Sequence, residues 1–326
     1  MYIRANNLSW VCNDKYARKH LRSLVIVGHC DISLDILTKL EGLRVLILVH
    51  LNQKLSAESF QKMLHLRYLE IIGKGGQTYE LPESLCKLYH LQVIDLRFDV
   101  FWVISRASCL VLPRGINRLI NLRHIFAYTG KRTGMGTLTS LQELRFYVNQ
   151  KEKGFEIRQL AYMSHLRRLW IQGLESVESK EEASEAKLCQ KGNLEELRLT
   201  WDTGRCSDGV LEVLQPHQDL KILAICGYSF NCPSWLNGNW LLYLNHIELA
   251  QCSSWKILPP MGHLPLLKTL FLHRMNSVRR IGPEFYGGGD RSSSNNTTYK
   301  AFPSLEVLDL IEMPELTEWC NRSRRT

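Results

Sequence analysis

One spacing governs what this chain can become: an apolar residue, usually leucine, at the first, fourth and sixth places of a six-residue core. Leu194-Glu195-Glu196-Leu197-Arg198-Leu199 is the clearest instance. The core returns as LRSLVI (21–26), LRVLIL (43–48), LRYLEI (66–71), LQVIDL (91–96), LRHIFA (122–127) and LQELRF (141–146). It continues as LRRLWI (166–171), LEELRL (194–199), LKILAI (220–225), LNHIEL (244–249), LKTLFL (267–272) and LEVLDL (305–310). From first residue to first residue the steps are 22, 23, 25, 31, 19, 25, 28, 26, 24, 23 and 38.

A recurrence of this kind is the mark of a repeat array, and most of the steps fall in or near the 20–29 residues of leucine-rich repeats. The last two apolar residues of each core stand two apart, so on an extended strand they point to one face while the residues between them point to the other. A period of two inside each core excludes a set of buried helices. One repeat cannot cover its own aliphatics. At roughly 1.5–3 kcal/mol for each fully buried Leu or Ile, the stabilisation arises only between stacked neighbours. The predicted fold is therefore an α/β leucine-rich-repeat solenoid of about twelve repeats, a curved arc with a parallel sheet on its concave face and turns or short helices on its convex face.

The segments between cores carry their own signals. LPESLCKL (81–88), LPRGINRL (112–119) and LPPMGHL (258–264) each open on Leu-Pro and predict a tight turn leading into a short helical segment. Residues 175–192, ESVESKEEASEAKLCQKG, predict an insertion helix: Ser179 and Glu182 fit a capping box and Gly192 a C-terminal stop. An extra apolar run, Phe101-Trp102-Val103-Ile104, fills the 31-residue step. The 38-residue step holds a Gly-, Ser- and Asn-rich stretch read as a mobile loop over 287–299. Residues 1–20 read as a linker or the remnant of an upstream domain, 21–320 as the solenoid and 321–326 as a basic tail.

Composition narrows the function. Lys+Arg number 41 against 32 Asp+Glu, a net +9, and this surplus reads as spread along the chain with only Arg322, Arg324 and Arg325 clustered. Diffuse charge of that size implies solubility and weak attraction to polyanions rather than a nucleic-acid site. The ten cysteines include no C-x-x-C pair, which favours buried free thiols in a reducing compartment. There is no signal-peptide core and no run of 18 apolar residues, so the expected location is the cytosol or nucleus and no membrane span is expected. No G-x-S-x-G, H-E-x-x-H or G-x-x-x-x-G-K-[ST] is present, so neither catalysis nor a bound cofactor or metal is expected.

Several longer stretches resemble one family. Residues 173–201 (GLESVESKEEASEAKLCQKGNLEELRLTW), 216–236 (PHQDLKILAICGYSFNCPSWL), 258–287 (LPPMGHLPLLKTLFLHRMNSVRRIGPEFYG) and 302–319 (FPSLEVLDLIEMPELTEW) are similar to plant intracellular immune receptors of the coiled-coil, nucleotide-binding, leucine-rich-repeat type. The resemblance implies a sensor that binds a pathogen effector or a modified host protein in the defense response. It also implies a restraining contact with the nucleotide-binding domain of the same or a related receptor. The 326 residues contain no Gly-x-x-x-x-Gly-Lys-Ser/Thr loop, so the expectation is that they form the sensor part alone. The alternative is a leucine-rich-repeat adaptor or scaffold in ubiquitin or GTPase signalling.

Side chains between the core aliphatics are the candidates for partner binding: Arg97, Phe126, Tyr128, Arg145, Tyr147, Arg168, Trp170, Glu196 and Arg198. Stacking is expected to align Phe126, Arg145 and Trp170 in one row and Tyr128 with Tyr147 in another, roughly 4.8 Å per strand. Tyr, Trp and Arg are the side chains that dominate protein interfaces. The first two repeats instead present Val25, Val45 and Ile47, an apolar patch suited to an intramolecular contact.

Overall fold

The computed structural model describes residues 2–4, 19–27, 39–49, 60–73, 79–98, 110–126, 138–151, 153–202, 206–287 and 300–320. All but Gly287 of the expected loop over 287–299, the tail 321–326 and the apolar run 101–104 lie outside the described residues. Each of the twelve cores forms a strand that begins two residues after its first leucine. The chain separates into two compact units, residues 1–147 with 152–155 and residues 148–151 with 156–326.

The first unit contains β1 (Tyr2–Arg4), β2 (Ser23–Val27), β3 (Val45–Val49), β4 (Tyr68–Gly73), β5 (Tyr79–Glu80), β6 (Val93–Phe98), β7 (Leu110–Val111), β8 (His124–Phe126) and β9 (Glu143–Tyr147). β1, β2, β3, β4, β6, β8 and β9 pair successively, all in parallel. β5 and β7 form a separate small parallel pair between successive cores. Residues 2–4, read as part of a linker, therefore add a strand to β2 instead, with Tyr2 aligned on Val25.

The second unit contains β10 (Arg168–Gln172), β11 (Glu196–Thr200), β12 (Ile222–Cys226), β13 (His246–Ala250), β14 (Thr269–His273), β15 (Arg280–Ile281), β16 (Val307–Ile311) and β17 (Glu318–Trp319). β10 to β14 and then β16 form one parallel ladder, and β15 pairs with β17. Register follows the cores: Leu169 aligns with Leu197, Leu197 with Leu223, Leu223 with Ile247 and Ile247 with Leu270. A one-residue slip would turn every aliphatic to the other face, so the pattern specifies the pairing.

The core lies on one side of each ladder. Leu194, Leu197 and Leu199 are buried, as are Leu220, Leu223 and Ile225, while between them Arg198 and Ile222 are only partly covered on the open face and Glu196 and Ala224 are buried there by their neighbours. β16 shows how far this depends on neighbours. Among the described residues no strand lies beyond it, and Val307, Leu308 and Ile311 are 46%, 38% and 43% exposed, although Leu270 and Leu272 in β14 are fully buried.

The return segments are tighter than expected. The Leu-Pro segments at 81–88 and 112–119 form 3₁₀ turns over Glu83–Lys87 and Ile116–Arg118, whereas 258–264 forms turns with no helical segment. The insertion at 175–192 is not one helix: a 3₁₀ turn (Leu174–Ser176), a short helix α1 (Lys180–Ser184) and a second 3₁₀ turn (Leu188–Gln190) share it. The cap expected at Ser179 is present, with the Glu182 N–H donating to Ser179 Oγ at 3.2 Å, while the Glu182 carboxylate accepts from the Glu178 N–H at 3.0 Å, one residue before the cap. The chain turns at Lys187, which has a left-handed φ of 50°, well before Gly192. Leu174, Val177, Ala183 and Ala186 are all buried, and their three-residue spacings suit a 3₁₀ path rather than a continuous α-helix. Two further single-turn helices, α2 (Val210–Val213) and α3 (Ser234–Asn237), and 3₁₀ turns at Ile157–Tyr162 and Pro283–Tyr286 lie in the returns of the second unit.

Candidate partner-binding face

In the second unit the open face is built around Arg198. Its Nε donates to Glu196 Oε1 at 2.6 Å, its Nη1 donates to Glu248 Oε2 at 3.1 Å, and its guanidinium stands 5.2 Å from the Trp170 ring centroid. Trp170 Nε1 donates to the same Glu196 oxygen at 3.0 Å. Strand register explains the assembly: Trp170 aligns with Arg198, Arg198 with Ala224 and Ala224 with Glu248. Arg198 thus spans the intervening strand above Ala224, whose small side chain leaves room for an ion pair to cross. Glu196 is buried, so this candidate interface residue acts as an internal bracket that orients Trp170 and Arg198. Arg168 is exposed at the start of β10, aligned with Glu196.

In the first unit Val25, Val45 and Ile47 are half-buried on the open face, with Val25 aligned on Ile47 and Val45 on Tyr68. The apolar stretch ends at β4. Ile47 aligns with Glu70, a buried carboxylate that accepts from the Tyr68 hydroxyl at 2.9 Å and aligns in turn with buried Asp95. Arg145 is half-buried and Tyr147 is exposed on β9. Arg97 and Phe126 have strand backbone, in β6 and β8, but their side chains lie outside the described residues, as does all of Tyr128. Their place in the expected rows is therefore not described.

Sequence reasoning stopped at the eighth core and missed the continuation of this face. His246, Glu248, Phe271, His273 and Asp309 occupy the same between-core positions in LNHIEL, LKTLFL and the residues around them, so the signal was available. The His246 ring meets Phe271 edge-on at 5.2 Å between centroids, and Phe271 stacks on His273 at 5.6 Å. His273 Nε2 lies 3.8 Å from Asp309 Oδ2. Burial, and then the nearby Arg198 charge, hold His246 below the ordinary histidine pKa.

The charge is not spread evenly. Residues of the first unit include 21 Lys+Arg and 12 Asp+Glu, a net +9, while those of the second include 20 of each and are neutral. Part of that surplus is a row of exposed arginines, Arg22, Arg44, Arg67 and Arg123, at the second position of four cores. In the second unit the same position carries Arg167, Glu195 and Lys221, where Glu195 lies 3.0 Å from Arg167 and 3.3 Å from Lys221. Of the seven described cysteines, all free thiols, only Cys86 and Cys252 are buried and Cys189 is exposed, which departs from the expectation of buried thiols. No described helix is long and apolar enough to cross a membrane.

Parallel strands of one repeated core, with aliphatics stacked in register and turns between them, define a leucine-rich-repeat protein. The chain belongs to that family: the family model described as a leucine-rich repeat region matches residues 20–319. Over most of its length it is similar to plant disease resistance proteins. A putative disease resistance protein of Arabidopsis thaliana is 31% identical over 306 residues, 87% of this chain and 20% of that protein. The putative disease resistance protein RGA1 of Solanum bulbocastanum is 34% identical over 243 residues, 73% of this chain and 24% of that protein. The chain thus spans about a fifth to a quarter of these relatives' own length. Among solved structures, TLR13 in its complex with ssRNA13 has a TM-score of 0.50 at 17% identity, covering 91% of this chain and 45% of that one, a likeness of fold alone.

Proposed function

We propose that the chain is the non-catalytic sensor and restraining part of a plant intracellular immune receptor, acting in the cytosol or nucleus. In this reading it recognises a pathogen effector, or a host protein altered by one, through the open face of its strands. The observation that carries the reading is the braced Trp170–Arg198–Glu248 cluster on a chain similar to disease resistance proteins. Side chains held by buried partners lose little freedom on binding, which suits them to an interface. Arg168 belongs to the same proposed surface, and on the first unit Arg145 and Tyr147, with the Arg97, Phe126 and Tyr128 positions, are proposed as partner contacts of their own. Val25, Val45 and Ile47 supply an apolar contact for the nucleotide-binding domain of the same or a related receptor.

The test is biolayer interferometry of the purified chain against a panel of secreted pathogen effectors and their host targets. One partner is expected to bind, with affinity falling at least about tenfold in Arg198→Glu, a loss of about 1.4 kcal/mol, and holding in Glu315→Gln on another surface. Binding indifferent to Arg198→Glu would move the site elsewhere. Saturable ATP or ADP binding by the same preparation, with no protein partner, would overturn the reading.

A further inference from the structure

The charges around the open face of the second unit are mostly matched in pairs. Glu195 lies between Arg167 and Lys221, Lys268 lies 3.0 Å from Glu306, and Arg274 donates to Glu312 at 2.6 Å. Farther along the face the pairing is looser. Glu196 and Glu248 both meet the Arg198 guanidinium, and Asp309 stands on β16, two strands beyond Glu248. Two of these carboxylates flank one aromatic ring. Glu248 aligns with Phe271 and Phe271 with Asp309, so the acids stand on the strands to either side of the ring, about two strand spacings or roughly 9.6 Å apart. The Glu248 and Asp309 side chains are 31% and 41% exposed. Among the described residues, the ion-pair neighbour of Asp309 is His273, which is charged only when protonated. His246 meets the Phe271 ring edge-on and His273 stacks on it, so an aromatic cluster stands between the strands that carry the two carboxylates.

We propose that this place on β13, β14 and β16 receives a cationic side chain, arginine or lysine, from a loop of the protein partner. Charge complementarity selects the occupant. The aliphatic stem of such a side chain covers the Phe271 edge while its head reaches Asp309 and the outer side of Glu248, an arrangement long cationic side chains adopt against apolar surface. A guanidinium is the better match, because its planar fork can meet the Asp309 carboxylate bidentately. An acidic or purely aliphatic loop would leave Asp309 opposed or covered without a partner, which is costly. The inference rests on the proposed recognition role but concerns the chemistry of the partner rather than its identity.

Fluorescence anisotropy with a labelled (Arg-Gly)4 peptide at low ionic strength tests it, with (Glu-Gly)4 as the opposite probe. Saturable binding of the basic peptide is expected, weakened at least about tenfold in the Glu248→Gln/Asp309→Asn double variant. The Glu181→Gln/Glu185→Gln variant removes the same charge from exposed positions in α1 and at its C-terminal cap and is expected to bind as the parent does. Equal weakening in both double variants, or equal binding of the acidic peptide, overturns the proposal. Should the Glu248 substitution disturb folding through Arg198, the single Asp309→Asn variant decides the same question. A protein partner whose affinity ignores Asp309→Asn would sink this inference and leave the recognition role standing. Peptide discrimination without any protein partner would do the reverse.

Discussion

At the scale of single residues, neighbouring side chains of one strand have opposite duties. Leu197 is fully buried between Leu169 and Leu223, whereas Trp170 and Arg198 stand half-covered on the other face. Leu197→Asp places a charge among aliphatics with no partner and is expected to cost several kcal/mol, enough to unfold the second unit at moderate temperature. Trp170→Ala releases Glu196 and Arg198 from one contact each and is expected to lower stability by about 1–2 kcal/mol while weakening partner binding. Thermal unfolding followed by circular dichroism separates them; equal losses would show that Trp170 is a core residue. Both faces were legible in the sequence, because alternation assigns them. The duty of Glu196 was not. It lies among the between-core positions like any surface acid, and only Trp170, 26 residues earlier in the chain, and Arg198 show that it is an inner bracket.

At the scale of elements, the returns were the least legible part. The insertion at 175–192 has helix-forming composition and a cap at Ser179 that the structure keeps, yet only five residues form α1. Buried anchors on either side force the chain into 3₁₀ turns, an outcome of packing that local propensity does not register. Lys191 shows what the sequence hid. Its buried ammonium donates to the Leu160 and Met163 carbonyls at 2.6 and 3.2 Å, tying the segment before β11 to the 3₁₀ turn at Ile157–Tyr162. Burial, with the Lys187 charge, lowers its pKa from 10.5 to about 8. The unfolded chain therefore binds that proton more tightly, and between about pH 8 and 10.5 stability gains as pH rises. Lys191→Met is expected to lose about 1–3 kcal/mol at pH 7 by removing the ammonium donor from the Met163 carbonyl and from the Leu160 carbonyl, which keeps only the Met163 N–H, and to lose the upward slope in that window. Denaturant titrations across the pH range check both; an unchanged slope would place the proton elsewhere.

At the scale of the whole molecule, charge is segregated in a way that composition conceals. The sequence total of +9 suggests diffuse charge, but all of it falls in the first unit, where Arg44, Arg67 and Arg123 have no acidic partner among the described residues. An unbalanced row of exposed cations attracts polyanions in proportion to the charges it can bring to bear, and salt screens the attraction. On immobilised heparin, the Arg44→Gln/Arg67→Gln/Arg123→Gln variant is expected to elute at markedly lower salt than the parent. A variant losing the paired bases Arg167, Lys221 and Lys268 is expected to shift less. Equal shifts would mean that only total charge matters. The sequence by itself determined the twelve strands, their parallel register and the buried aliphatics, because a period of two within a recurring core admits one pairing that covers every apolar side chain. Only the tertiary structure decided which outward side chains are free to meet a partner and which are held inward. That choice depends on groups such as Arg198 and Glu248, 50 residues apart in the chain, meeting across an alanine on the strand between them.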